Sequence, residues 1–276
     1  MQRKRYIIAL LMLLVGAVGS YAADGDFEPF VLAIDAGHGG HDQGTRGRRA
    51  REKDVTLKVA RLLAQKVKDR YGDSVQVVLT RDADVFVGLR ERADIANRAG
   101  ADLFISIHVN SVAARSRGRD KVKGTSVYTL GLHKSEANLA VAMAENAVIE
   151  LEENYSETYQ GFDPNLSESY IIFELSQENN LNNSLDMAAL AQEQLIEHAG
   201  RADRGVRQAG FLVLWATRMP SVLVELDFMC NPTMETFLAS ADGQERCAEA
   251  LARAFHQYRT IHPHERRTAA PDRVFP

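Results

Sequence analysis

The sequence predicts an α/β fold: a single domain with a mostly parallel twisted sheet flanked by helices. Short apolar runs alternate with amphipathic helical patterns in the order strand, helix, strand, helix, strand, and parallel pairing through right-handed crossovers is the packing that order favours. The first two helical patterns each stop at a glycine, Gly72 and Gly100. With 276 residues, 45% hydrophobic and 25% charged, the chain is long enough to bury a core, and its composition excludes disorder, collagen and coiled coil.

Taken in order, Arg3, Lys4 and Arg5 precede an apolar run from Tyr6 to Val18, followed by Ser20-Tyr21-Ala22. Residues 1–22 are expected to be a signal peptide cut after Ala22. The run falls short of the roughly 20 residues a bilayer span needs, and no Cys follows it, so neither a stable membrane anchor nor a lipid anchor is expected. The product is exported, to the periplasm or beyond it.

The folded unit is expected over 28–260. Phe30 to Asp35 (FVLAID) reads as a strand running into a glycine-rich turn, and Asp54 to Tyr71 carries apolar residues at helical spacing. Val75 to Thr80 is a strand, Leu89 to Ala99 an amphipathic helix, and Leu103 to His108 (LFISIH) a third strand. Thr125 to Leu130 reads as a further strand and Ser135 to Glu153 as one long helix. Asn154 to Asn183 shows no period and, with that helix, forms an acidic insertion over about 135–183. A helix from Ser184 to His198, a short apolar piece from Phe211 to Trp215, the strand from Ser221 to Leu226 and a helix from Gly243 to Arg259 complete the domain. Residues 261–276 read as a disordered tail.

The formal charge of −4 gives no reason to expect nucleic acid as a partner. Losing the three cations of the signal segment takes it to −7. The charge is unevenly placed, because the 66 residues from Ser135 to Gly200 hold thirteen acidic side chains and no Lys or Arg. Basic runs, Arg46 to Arg51 and Arg115 to Lys123, flank two of the candidate residues described below. Two cysteines, Cys230 and Cys247, permit one disulfide in an oxidising compartment, and their pairing stays open.

Ligands of parallel sheets bind beyond the carboxyl ends of the strands. His38 lies just past the first strand, His108 closes the third, Glu225 ends SVLVEL, and Glu52 precedes the first helix on the same rim. Two imidazoles and a carboxylate with an open position form a hydrolytic zinc set, and the second carboxylate can then move a proton. Spacing leaves open which glutamate does which. Glu52 in a first helical turn is also explained by the helix dipole, whereas Glu225 in an apolar strand carries a desolvation cost that needs a reason. No GxSxG, Walker A or HExxH is present, and GxGxxG fails at Asp42.

The blocks VLAIDAGHGGHDQGTRG, REKDVTLKVA, LRERADIANRAGADLFISIHVNS and MPSVLVELDFMCNP closely resemble the zinc-dependent N-acetylmuramoyl-L-alanine amidases of bacterial cell-wall turnover and daughter-cell separation. The resemblance implies one zinc ion held by His38, Glu52 and His108, with Glu225 as the catalytic carboxylate and peptidoglycan as substrate. Asn110, Arg46, Arg48 and Arg49 are further candidates for substrate contact, since the basic loops beside these residues are also suited to stem-peptide carboxylates. Division-associated members have an insertion here whose glutamate caps the zinc until an activator protein displaces it. Glu145 is the expected plug, with Glu150 as the alternative, and the acidic insertion is expected to lie over the basic rim. Two departures stand out, Ala36 where the family has Pro and Asp227 where it has Gly. Asp227 is expected to raise the pKa of Glu225 by like-charge repulsion.

Overall fold

The computed structural model describes residues 28–153, 155–171, 173 and 180–263; the expected signal peptide and residues 264–276 of the expected tail lie outside them. The sheet has six strands in the order β2-β1-β3-β6-β4-β5. They are β1 (Phe30–Ala36), β2 (Val75–Leu79), β3 (Leu103–Asn110), β4 (Thr125–Leu130), β5 (Asp203–Ala209) and β6 (Ser221–Phe228). Pairings β1–β2, β1–β3, β3–β6 and β4–β5 are parallel, and β4 runs antiparallel to β6. The predicted mostly parallel sheet is therefore present, with its last two strands reversed.

Eight α-helices accompany the sheet among the described residues: α1 (Glu52–Tyr71), α2 (Leu89–Arg98), α3 (Glu136–Asn146), α4 (Tyr155–Thr158), α5 (Leu181–Glu197), α6 (Leu212–Trp215), α7 (Pro232–Ala239) and α8 (Ala241–Ile261). Local chemistry sets several of their ends. Glu52 and Asp54 sit in the first turn of α1 and Lys68 and Arg70 in its last, matching the helix dipole at both ends. Asn231 and Ser240 cap α7 and α8 through side-chain oxygens.

Alternation along the strands separates two cores. Leu32, Ile34, Ile105, Ile107, Val222 and Val224 pack with α1, α5 and α8. Val31, Ala33, Phe104, Tyr128 and Leu223 pack with α2, α6 and the insertion on the other face. By the same parity, Asp35, Ser106, His108 and Glu225 belong to the insertion-covered face.

Two expectations change, and the open question of the cysteines closes. The helix expected over Ser135 to Glu153 stops at Asn146 and continues as a 3₁₀ turn over Ala147–Leu151. Buried Asn146 is the reason, since its amide donates to Gly210 O and accepts from Leu212 N, fixing the chain to the start of α6. Strand β5 and helix α7 went unpredicted. DRGVRQA is a mostly exposed edge strand without apolar alternation. The cysteines are free: Cys247 is buried in the first core, and Cys230 donates to Arg119 O.

Candidate metal centre

Parallel register brings the site together. His108 on β3 pairs with Glu225 on β6, so the two side chains leave the sheet side by side on one face. His38 follows β1 in a left-handed conformation, φ 62°, which a non-glycine residue holds only where its surroundings enforce it. Three groups do so. Arg92 of α2, 2% exposed, donates to His38 O, Ala36 O and the Asp35 carboxylate. Arg81 donates to Ala36 O and Gly37 O. Asp42 Oδ2 lies 2.7 Å from His38 Nδ1, fixing the ring with Nε2 turned inward.

Glu52 enters from the first turn of α1, held by Thr45 N at 2.8 Å and Val109 N at 2.8 Å. Its Oε1 lies 3.1 Å from His38 Nε2 and 3.2 Å from His108 Nδ1. Glu145 arrives from above. Because β4 is reversed, it carries the chain away from the rim, and α3 must run back toward it, delivering Glu145 near its C-terminal end. Glu145 Oε2 lies 2.9 Å from His108 Nδ1 and 3.2 Å from His38 Nε2.

One ligand atom from each of His38, Glu52, His108 and Glu145 lies within 4.8 Å of the others, a group able to hold a metal ion. Electrostatics points the same way. Burial opposes the charged imidazolium, yet the Glu52 and Glu145 carboxylates outweigh it and push His38 well above its ordinary pKa, and Glu145 foremost pushes His108 to about 10. Burial likewise opposes the Glu145 and Glu52 carboxylates, but the imidazoles hold both below the usual range. A pocket that protonates its own histidines lacks positive charge; a divalent cation supplies it and leaves the imidazoles neutral. His38 Nε2 and Glu145 Oε2, both buried, find no aligned hydrogen-bond partner. Zinc, which takes nitrogen and oxygen donors in a four-ligand set, fits these residues.

Glu225 adjoins the group, fully buried, with neither carboxylate oxygen hydrogen-bonded. Burial first, then the Glu145 charge, raises its pKa well above the ordinary glutamate value. Asp227 behaves differently from expectation. Its carboxylate is committed to Arg201 at 2.9 Å and to the amides of Gly124 and Phe228, so it has its own counter-charge. The negative charges acting on Glu225 are those of Glu145 and Glu52 instead.

Arg46, Arg48 and Arg49 stay outside the cluster on an exposed loop, and Asn110 is buried at the end of β3, its carbonyl accepting from Met229 N. Among the described residues no ion pair joins the acidic insertion to the basic loops. The insertion is fastened by Glu145, by Asn146 and by Glu152, which accepts from Leu89 N at the start of α2 at 2.7 Å and from Tyr159 Oη at 3.0 Å. Asp42, Arg81, Arg92 and Glu152 escaped sequence reasoning. Only Asp42 left a signal there, a carboxylate four residues beyond a candidate ligand on a glycine turn.

The family model of N-acetylmuramoyl-L-alanine amidases matches residues 32–257. AmiA of Escherichia coli K12 is 31% identical over 232 residues, covering 83% of this chain and 75% of that protein. AmiC of Escherichia coli O6:H1 is 31% identical over 234 residues, and the match spans 53% of its length. Among solved structures, amidase AmiC2 of Nostoc punctiforme superposes with a TM-score of 0.59 at 30% identity, covering 84% of this chain and 97% of that one. The catalytic domain of CwlV from Bacillus (Paenibacillus) polymyxa does so with a TM-score of 0.59 at 26% identity, covering 84% and 99%. Similar along most of its length to bacterial wall enzymes in both sequence and fold, the chain belongs to the N-acetylmuramoyl-L-alanine amidases.

Proposed function

We propose that the protein is an exported, zinc-dependent peptidoglycan amidase that cuts the amide between the lactyl group of N-acetylmuramic acid and L-alanine, and that its insertion holds it inactive. The observation that carries the catalytic reading is the His108–Glu225 pairing across β3 and β6, which sets an unsolvated carboxylate beside the donor group. His38, Glu52 and His108 would hold the ion, with Asp42 orienting His38. Zinc supplies Lewis acidity toward the amide carbonyl and toward water.

The remaining chemistry belongs to Glu225. A carboxylate without hydrogen bonds, its pKa raised by burial, is a better base than an exposed glutamate. It takes the proton of the attacking water and returns it to the alanine nitrogen as the amide C–N bond breaks. Glu145, carried by the insertion, completes the donor group beside His38 and His108, and this supports its role as the plug. Withdrawing α3 would free the fourth position, and an activator protein is the partner suited to that work. Export through residues 1–22 and action on the wall in turnover or daughter-cell separation complete the reading; among the described residues no helix is long and apolar enough to cross a membrane.

Incubating sacculi with the zinc-loaded protein tests the reading. Intact stem peptides beginning at L-alanine are expected, from the Glu145→Ala variant more than from the parent. Fragments cut within the stem, or none from either protein, would refute it.

A further inference from the structure

A cavity that the reaction does not use opens among loops contiguous in sequence with the donor residues. It has a volume of about 270 Å³, and Arg46, Arg48 and Arg119 lie in its wall with Met229 and Glu235. The wall comes from three segments that also frame the site: the loop leading to Glu52, the loop that follows β3, and the turn that follows β6. Arg46 and Arg48 enter no ion pair among the described residues. Arg119 spends its Nε on Val112 O at 3.0 Å.

The arginines are displayed from fastened backbone. Glu235 of α7 accepts from Arg49 N at 2.5 Å and from Ala50 N at 2.9 Å, and these amides, against the opposing effect of burial, hold its carboxyl below the usual range. Its charge is thus spent on the loop. Gly47 allows this approach, since a Cβ there would lie 2.3 Å from Glu235 Oε1. Across the cavity, Asn231 Nδ2 donates to Val122 O at 2.9 Å and Cys230 Sγ donates to Arg119 O at 3.3 Å, tying the second loop to the turn after β6. Asp120 is the other acidic side chain in the wall. Three arginines therefore line the cavity against one carboxylate, that of Asp120, which is not already committed to backbone amides.

We infer that this cavity recognises a carboxylate of the stem peptide, the free carboxylate of the residue that follows L-alanine. The inference rests on the proposed reaction and adds to it a source of substrate preference. Guanidinium forks match carboxylates in a planar, two-bonded geometry that a carboxamide cannot reproduce. Loops already tied down lose little freedom when the ligand arrives. The basic rim thereby has a role of its own, since no ion pair among the described residues joins these arginines to the insertion.

The test uses two soluble muropeptides that differ only in a carboxylate or a carboxamide on that residue, cleaved by the zinc-loaded full chain carrying Glu145→Ala. The carboxylate substrate is expected to have the higher kcat/KM, by about tenfold or more, through a lower KM. Arg46→Gln, Arg48→Gln and Arg119→Gln should each shrink that ratio, and the triple variant should bring it close to one. Raising salt should compress the ratio in the parent and leave it unchanged in the triple variant. Equal kcat/KM for both substrates, or a preference that survives the triple substitution, overturns the inference while leaving the amidase reading intact. Cleavage of neither muropeptide overturns both.

Discussion

Replacing Gly88 by alanine should switch the enzyme on from a distance. Gly88 precedes α2 with φ −64° and ψ 155°, a conformation open to any residue, so backbone geometry does not require glycine. What requires it is Glu152 of the insertion: a Cβ at Gly88 would lie 2.8 Å from the Glu152 carboxyl carbon. The atom in the way is the end of a flexible side chain, and the easy escape is for that carboxylate to leave the start of α2. Doing so breaks its bonds from Leu89 N at 2.7 Å and from Tyr159 Oη at 3.0 Å, and loosens the bond from Arg90 N to Tyr159 Oη at 3.0 Å. At about 1 kcal/mol net for each of two or three bonds, the closed form loses about 2–3 kcal/mol. While the open form stays in the minority, its population, and with it the rate of stem-peptide release from sacculi, rises roughly 30- to 150-fold. Glu152→Ala should give a similar rise, and limited proteolysis within 147–171 should quicken in parallel. If both variants release stem peptide at the parental rate while Glu145→Ala releases it faster, Glu152 is packing and no latch.

Glu225→Gln should lower kcat by about 10²- to 10⁴-fold while the protein still binds one zinc ion, measured by metal analysis alongside turnover. Chelation should abolish release from Glu145→Ala protein, with zinc restoring it, and unchanged activity in the metal-free protein would contradict the proposed chemistry. Arg92→Met leaves the buried Asp35 carboxylate without its cation and should cost about 3–5 kcal/mol in denaturant unfolding. Burial raises the Asp35 pKa, but Arg92 and the hydroxyls of Ser106 and Thr80 outweigh it and hold it below the usual aspartate value. Its contribution to stability is therefore full above the unfolded value of about 3.9 and is lost as pH falls through the lower folded value. Acid unfolding of Asp35→Asn should accordingly show a shallower pH dependence in that window.

The parallel half of the sheet was legible because its strands are buried on both faces and read as continuous apolar runs, FVLAID and LFISIH above all. The rim candidates were legible for a related reason, since a polar residue that ends such a run must face either solvent or a site. Edge strand β5 lacked that signature, because an exposed strand needs no apolar face. The buried guanidinium groups of Arg81 and Arg92 were invisible, as nothing in a sequence separates an arginine that holds backbone carbonyls from one in water. Glu145 was found from family resemblance together with charge placement, but among the described residues no ion pair joins the acidic insertion to the basic rim. Hydrogen bonds at Asn146 and Glu152 hold the insertion instead, and both depend on how the insertion folds back over α2 and α6.

The reversal of β4 has a consequence for how such enzymes can differ from one another. The strand ends at the edge of the sheet opposite the site, and α5 begins at that same edge, where Ser184 Oγ accepts from Ser221 N at the start of β6. The chain between them is an excursion that departs from and returns to one side of the molecule, while His38, Glu52, His108 and Glu225 are anchored in other segments. Such a cassette is free to lengthen, shorten or change its fastening without shifting any of those four side chains, so under the proposed inhibition control and chemistry can evolve on separate stretches of one chain.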